Sequence, residues 1–352
     1  MNNAAPLFSI VVPVYNCARF LPDCIRSIAA LEGGSFECLL VDDGSTDDSG
    51  ALCDAAAGRD SRFRPIHKPN GGVCSARNAG LDHARGRFVL FCDQDDRMHP
   101  ETLRRVLAAH EQDTDDLILW PYTRDPAEFA APLPEGEEVY PPARFGSLYC
   151  TFMVPPVWNK LFERELVEQT PALRFDETIH SGHEDLPFVY DYLRRLLEKR
   201  PAARVRMQNA PLYYWSDENE ESVSKKSRHF RHYIEIEMPL FERFLTDCRE
   251  LYHPEDRDMV QVYLHYIHTL AYGVVCGKNY GDMPKDFWSR PEVDALLDWI
   301  LAHRAYTPFY LPFRLKWNGL VRLVFWAEQN SKWWYGKLYW AQYYLLGGNW
   351  NR

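Results

Sequence analysis

The sequence predicts an α/β fold, a mixed and mainly parallel sheet flanked by helices, followed by a helical, aromatic-rich C-terminal region. Three observations predict it. Short apolar runs of strand length alternate with stretches of helical spacing through the first hundred or so residues, which is the pattern of βαβ units. Three of those runs end in polar, acidic or glycine-rich loops: Tyr15-Asn16, Asp42-Asp43-Gly44 and Asp93-Gln94-Asp95-Asp96. From about Phe230 the spacing turns helical to the end, and eight of the eleven tryptophans lie at or beyond Trp288.

Phe8 to Val14 forms the first strand. A helix follows with apolar positions at Phe20, Leu21, Ile25, Ile28 and Leu31, and Gly33-Gly34 stops it. Phe36 to Val41 is the second strand, and Ser45 or Thr46 can cap the helix that runs on to about Gly58. A third strand lies near Phe63 to His67, and the Asn70-Gly71-Gly72 turn leads into a helix from Val73 to Ala84. Arg87 to Cys92 is the next strand, apolar enough to be buried on both faces. A helix at about Glu101 to His110 and a strand at Asp116 to Trp120 continue the alternation. Residues 124 to 147, rich in Pro, Ala and Glu, read as a loop or arm over a cleft. Trp158 to Phe162 opens a short helix reaching Val167; Arg174 to Ser181 is irregular; a helix then runs to about Lys199, and Ala210 to Trp215 is a final strand. Two domains are expected, 1–225 and 226–352.

The formal net charge of −10 argues against general nucleic-acid binding. Nine cysteines, scattered with no CxxC pair, read as reduced core thiols of a cytosolic protein. No signal peptide and no transmembrane stretch is expected. No GxGxxG follows the first strand and no GxxxxGK[ST] is present, which argues against a dinucleotide dehydrogenase and a P-loop NTPase.

Asp93, Asp95 and Asp96 follow the most apolar strand at once. In an open α/β sheet, ligands bind outside the carboxyl ends of the strands. Oxygen ligands with no His or Cys beside them suit Mg²⁺ or Mn²⁺, which takes its remaining ligands from water and substrate phosphates. The loop therefore reads as a metal and nucleotide-diphosphate site. The bland alternative is a solvated loop capping the helix after Pro100.

Val12-Pro13-Val14-Tyr15-Asn16, Val41 to Asp47, Asn70-Gly71-Gly72 with Ala76-Arg77-Asn78, and Asp93-Gln94-Asp95-Asp96 occur in this order. Together they resemble a family 2 glycosyltransferase with the inverting, Rossmann-like GT-A fold. Trp158-Asn159-Lys160-Leu161-Phe162 and Glu184-Asp185 resemble that family's acceptor-side motifs. The resemblance covers roughly residues 7 to 225. It implies a hexosyl- or N-acetylhexosaminyltransferase acting in polysaccharide or cell-surface glycan assembly, with a nucleotide-sugar donor, a UDP-sugar first. Pro13, Tyr15, Asn16, Asp42, Asp43, Arg77, Asp93 and Gln94 would bind that donor. The Asp93-x-Asp95 pair resembles the family's DxD; Asp95 is the first metal ligand, with Asp93 and Asp96 as the others. Asp185 would be the base that takes the acceptor proton, with Glu184 beside it raising its pKa. Trp158, Asn159 and Lys160 would serve the acceptor side, Asn159 and Lys160 facing the cleft. The usual Gly-Glu-Asp stands here as Gly182-His183-Glu184-Asp185, one residue longer.

Two rival readings are a sugar-1-phosphate nucleotidyltransferase and a catalytically silent sugar-nucleotide or glycan-binding module. The tail poses a separate question. From residue 301 onward it holds seven Lys/Arg against the single acid Glu328, interleaved with aromatics. Residues 306–346 suit a peripheral contact with the inner face of a membrane, useful for a lipid-linked acceptor; the alternatives are a packed helical subdomain or a homodimer contact.

Overall fold

In the computed structural model of the chain, residues 5–112, 115–145, 148, 151, 153–179, 184–219, 238–247, 250–251, 256–280, 285–305 and 307–345 are described. The chain divides into two compact units, Met1–Lys225 and Lys226–Arg352.

The first unit is built on β1 (Phe8–Val14), β2 (Phe36–Asp42), β3 (Phe63–His67) and β4 (Phe88–Phe91). Helices α1 (Leu21–Ala29), α2 (Ser49–Arg59) and α3 (Val73–His83) connect them. The strand order is β3-β2-β1-β4, all parallel, with β9 (Phe162–Glu163) added antiparallel at the β4 edge. Every residue of β1, β2 and β4 is buried. Helices cover both faces of such a sheet, so these strands carry continuous apolar runs instead of alternation. Gly80 lets α3 lie against β1, since a Cβ there would come within 2.3 Å of Val11 Cγ1.

The register decides where the loops emerge. Val14 pairs with Asp42, and Val11 pairs with Phe91. The three central strands therefore release their C-terminal loops, Tyr15-Asn16, Asp43-Gly44 and Asp93 to Asp96, side by side. Gly44 turns the second of these with φ +74°, in the region that glycine enters at no steric cost.

Two small sheets complete the unit. One has the order β6 (Leu117–Leu119), β10 (Val205–Gln208), β8 (Glu137–Tyr140). The other has β5 (Arg97–Met98), β11 (Tyr213–Tyr214), β7 (Tyr122–Thr123). The helices of this half are α4 (Thr102–Gln112), α5 (Pro126–Phe129), α6 (Arg164–Val167) and α7 (Asp185–Lys199).

Three expectations need correction. The stretch 124–147 is not only a loop: it contains α5 and β8, and β8 pairs antiparallel with β10. Trp158 to Phe162 does not open a helix: Lys160 bridges to Leu119, Phe162 pairs with Val89, and the helix is confined to α6. The final strand shrinks to Tyr213–Tyr214.

The second unit is helical: α8 (Met238–Asp247), α9 (Asp256–Tyr280), α10 (Pro291–Ala302), α11 (Tyr310–Arg314), α12 (Asn318–Asn330) and α13 (Lys332–Leu345). Aromatic stacking joins them. Phe241 lies on Tyr266 and Tyr263 on Trp299, each pair with centroids 3.6 Å apart.

Candidate active site

The three loops at the strand ends are tied to one another before any ligand is considered. Tyr15 N–H donates to Gln94 Oε1 at 2.7 Å, and Gln94 Nε2 donates back to Tyr15 O at 3.2 Å. Asn16 N–H donates to Ser45 Oγ, and Asn16 Oδ1 accepts from Thr46 N–H at 2.8 Å. Asn16 sits at φ +47°, a left-handed position that Asn tolerates better than most residues. Tyr15 remains 45 % exposed, its ring available to a ligand, and Pro13 closes the β1 end beside Val41.

Asp42 and Asp43 are both buried. Asp42 accepts from Ser45 N–H at 2.9 Å and faces His67 Nδ1 at 2.8 Å. The Ser45 and His67 contacts hold its carboxyl below the usual range although burial, the largest influence, acts the other way. Asp43 accepts from Gly71 and Gly72 N–H and from Lys68 Nζ. It thereby binds the amides at the start of α3, where a carboxylate is favoured. As the chain stands, both carboxylates build the floor of the cleft.

Arg77 is the centre of the site. It projects from α3, is almost fully buried, and faces three carboxylates. Nη2 donates to Asp93 Oδ1 at 3.0 Å, and Nη1 donates to Glu184 Oε1 at 2.9 Å and to Asp185 Oδ1 at 2.7 Å. The guanidinium also lies 5.3 Å from the Phe175 ring centroid. Asp185 opens α7, and its other oxygen accepts from Val157 N–H at 3.1 Å. Burial pushes the Asp185 carboxyl up to about 7; Arg77 opposes this, while Glu184 and Asp93 add to it. The expected neighbour effect of Glu184 is therefore present but secondary to desolvation. Asp185 keeps 17 % of its side chain exposed. Gly182 and His183, like His180, lie outside the described residues.

The three carboxylates of the acidic loop have three different environments. Asp93 is held by Arg77. Asp95 is half-buried, and its Oδ2 accepts from Asn219 Nδ2 at 2.6 Å. Asp96 is fully buried: Oδ2 accepts from Tyr213 OH at 2.8 Å and Oδ1 from Ser216 N–H at 2.8 Å. Burial, with Asp95 and Asp93 adding charge repulsion, drives its carboxyl well above the usual range. In these contacts Asp96 acts as a strut that ties the acidic loop to Tyr213 and Ser216. The Tyr213 hydroxyl also accepts from Asp93 N–H at 3.0 Å, so one phenol fixes both ends of the loop. Among the described residues no group of three His, Cys, Asp or Glu side chains is arranged to hold a metal on its own.

The acceptor-side residues are placed differently from expectation. Trp158 is buried and stacks on Tyr213, centroids 4.4 Å apart, behind the acidic loop. Asn159 and Lys160 are wholly inaccessible and do not face the cleft. Asn159 Nδ2 donates to Met153 O. Lys160 Nζ donates to Met153 O, Pro156 O and Asn159 Oδ1 at 2.8, 2.5 and 2.6 Å. Burial draws the ammonium's pKa well down, with Asp185 opposing. These three residues shape the loop that presents Val157 N–H to Asp185. Tyr213, Ser216, Asn219 and Lys68 are site residues that the motifs did not mark. The acid at position 96 and the aromatic run at 213–215 were the only available hints.

The sequence profile described as Glycosyl transferase family 2 matches residues 9–170. The "uncharacterized glycosyltransferase EpsJ" of Bacillus subtilis (strain 168) is 34 % identical over 227 residues, 62 % of this chain and 63 % of EpsJ. A PGL/p-HBAD biosynthesis glycosyltransferase of Mycobacterium bovis (strain BCG / Pasteur 1173P2) is 41 % identical over 118 residues, 33 % of this chain and 46 % of that protein. The chain thus spans less than two thirds of the length of these curated relatives. In fold, it is similar to S. aureus TarS 1–349 in complex with UDP-GlcNAc, with a TM-score of 0.58 at 21 % identity over 93 % of each chain. Strand order, clustered loops and profile match agree: residues 9–170 are similar to the family 2 glycosyltransferases.

Proposed function

We propose that the protein is an inverting glycosyltransferase that moves a sugar from a nucleotide-diphospho-sugar to a hydroxyl of a glycan or lipid-linked acceptor, in glycan or polysaccharide assembly. The observation that carries the reading is the meeting of Asp93 and Asp185 on one buried Arg77, beside the half-buried Asp95. The UDP-GlcNAc complex of TarS makes a UDP-sugar the first donor to try.

In this reading the exposed Tyr15 ring receives the base, and the clasped loops around Asp42 and Asp43 set the pocket's floor. Asp95, with Asp93 close by, fits a hard divalent cation that completes its shell with phosphate oxygens and water. Such a cation, Mn²⁺ or Mg²⁺, when bound, offsets the charge that develops on the departing diphosphate. Asp185 takes the proton from the acceptor hydroxyl as that oxygen attacks the anomeric carbon. A carboxyl poised near 7 is matched to this task. Arg77 holds the base carboxylate and the donor-side Asp93 at a fixed spacing, which a flexible charge could not do. A single displacement by the acceptor inverts the anomeric centre.

The test is turnover of the full chain with UDP-sugars, Mn²⁺ and saccharide acceptors. Acceptor-dependent release of nucleoside diphosphate, with an inverted product anomer by NMR, is the expected result. In Asp185→Asn it should fall by about 10²–10⁴-fold. Pyrophosphate release would identify a nucleotidyltransferase, and donor binding without turnover across acceptors would identify a silent binding module.

A further inference from the structure

The last two helices of the second unit expose four tryptophans, Trp326, Trp333, Trp334 and Trp340. Helix α12 turns Val321, Val324 and Ala327 inward, and Phe325 packs near His268 and Tyr272. Its opposite side shows Leu323 at 51 % and Trp326 at 53 % exposure. Helix α13 shows Trp333 at 60 %, Trp334 at 52 % and Trp340 at 43 %. The turn before α12 adds exposed Leu315 and Trp317. Trp333, Lys337 and Trp340 follow the i, i+4, i+7 spacing of one helical stripe. Lys337 Nζ sits 4.2 Å above the Trp333 ring, and Lys332 is exposed beside it. The one acid in this stretch, Glu328, is turned to His268 Nε2 at 2.7 Å.

Large apolar side chains gathered on one surface mark a partner site. The composition selects the partner. Tryptophan rings interleaved with lysines suit the headgroup depth of a bilayer, where the rings enter the interface and the ammonium groups stay with the phosphates. A face with lysines and no free-standing acid is complementary to anionic lipid. A second copy of the chain fits less well, because a two-fold contact would bring two copies of the same lysine-bearing patch together, and interface cores are depleted in lysine. No helix among the described residues is long and apolar enough to cross a membrane. Helices of this kind lie in the interface plane.

We propose that the exposed face of α12 and α13 seats the protein on the surface of an anionic lipid bilayer. With the chain at a net −10, this face is also what orients the molecule, since the acidic remainder is repelled. The inference stands apart from the transferase reading, and either can fail alone.

Flotation of the full chain with phosphatidylcholine vesicles, with and without phosphatidylglycerol, tests it. The wild type should float with phosphatidylglycerol vesicles and be released as salt rises. Trp333→Ala/Trp334→Ala/Trp340→Ala should remain at the bottom of the gradient with an unchanged melting temperature. Lys332→Glu/Lys337→Glu should partition at least ~30-fold less onto the anionic vesicles. A wild type that never floats, or variants that float as well as it does, would overturn the proposal. So would sedimentation showing a wild-type dimer that the triple tryptophan variant converts to monomer, with neither binding vesicles.

Discussion

Arg77, buried midway along α3, places Nη1 2.7 Å from Asp185 Oδ1, while the same guanidinium reaches Asp93 Oδ1 at 3.0 Å through Nη2. The residue that holds the acidic loop therefore also holds the proposed base. A lysine keeps the charge but cannot fork to Asp93 and Asp185 at once. Arg77→Lys is expected to fold, to lose at least tenfold in kcat, and to change the donor KM far less. Arg77→Gln removes the charge that opposes protonation of Asp185, so the acidic limb of its pH profile should move upward. Steady-state kinetics across pH check both.

The pH dependence follows from Asp185. Its carboxyl titrates near 7 and must be ionised to accept a proton. The rate kcat/KM should rise about tenfold per pH unit below that point and level off above it. Stability should move the other way. The folded pKa lies above the unfolded value of roughly 4, so the native state binds the extra proton between the two. Wild-type stability relative to Asp185→Asn is therefore expected to fall as pH rises from roughly 4 to about 7. Urea titrations of both proteins at several pH values measure it.

Tyr213→Phe keeps the ring on Trp158 and deletes only the hydroxyl between Asp93 N–H and Asp96. It leaves a buried carboxyl short of one partner, which should cost about 1–3 kcal/mol in denaturant unfolding. It should also weaken binding of a nucleoside diphosphate with Mn²⁺, because the acidic loop loses its strut. Isothermal titration calorimetry would reveal an unchanged affinity if the strut were irrelevant to the cleft.

Gly80→Ala tests the seat of α3 and hence of Arg77. The added methyl would meet Val11 at 2.3 Å on a fully buried strand. The expected loss is about 1–3 kcal/mol of stability, measured by chemical denaturation.

The central sheet was legible in the sequence because β1, β2 and β4 are buried on both faces and so are written as mostly apolar runs ending in polar or acidic loops. The clustering of Tyr15, Asp42, Asp93 and Asp95 followed from strand order alone. What the sequence hid depended on distant partners. Asp96 reads like a third ligand, and only Tyr213 and Ser216, more than a hundred positions on, make it a strut. Lys160 reads as a cleft-facing residue of the acceptor side, yet two backbone carbonyls of its own loop and Asn159 Oδ1 satisfy it inside the fold. Strand β10, Val205-Arg206-Met207-Gln208, carries no clean apolar run, and Arg206 is held there by Asp116 across the small sheet. Trp158 to Phe162 has apolar spacing that suits a helix or a strand equally, and pairing with β4 decided it.

The most direct test of the central claim is the melting temperature of the full chain with UDP, GDP, CDP and dTDP, each with and without Mn²⁺. A ligand at a hundred times its Kd adds about 2.7 kcal/mol, a clear upward shift. One diphosphate, UDP first, is expected to stabilise the protein only with Mn²⁺, and Asp95→Asn to abolish the effect. Stabilisation that is independent of Mn²⁺ and untouched by Asp95→Asn, or no stabilisation by any of the four, would contradict this.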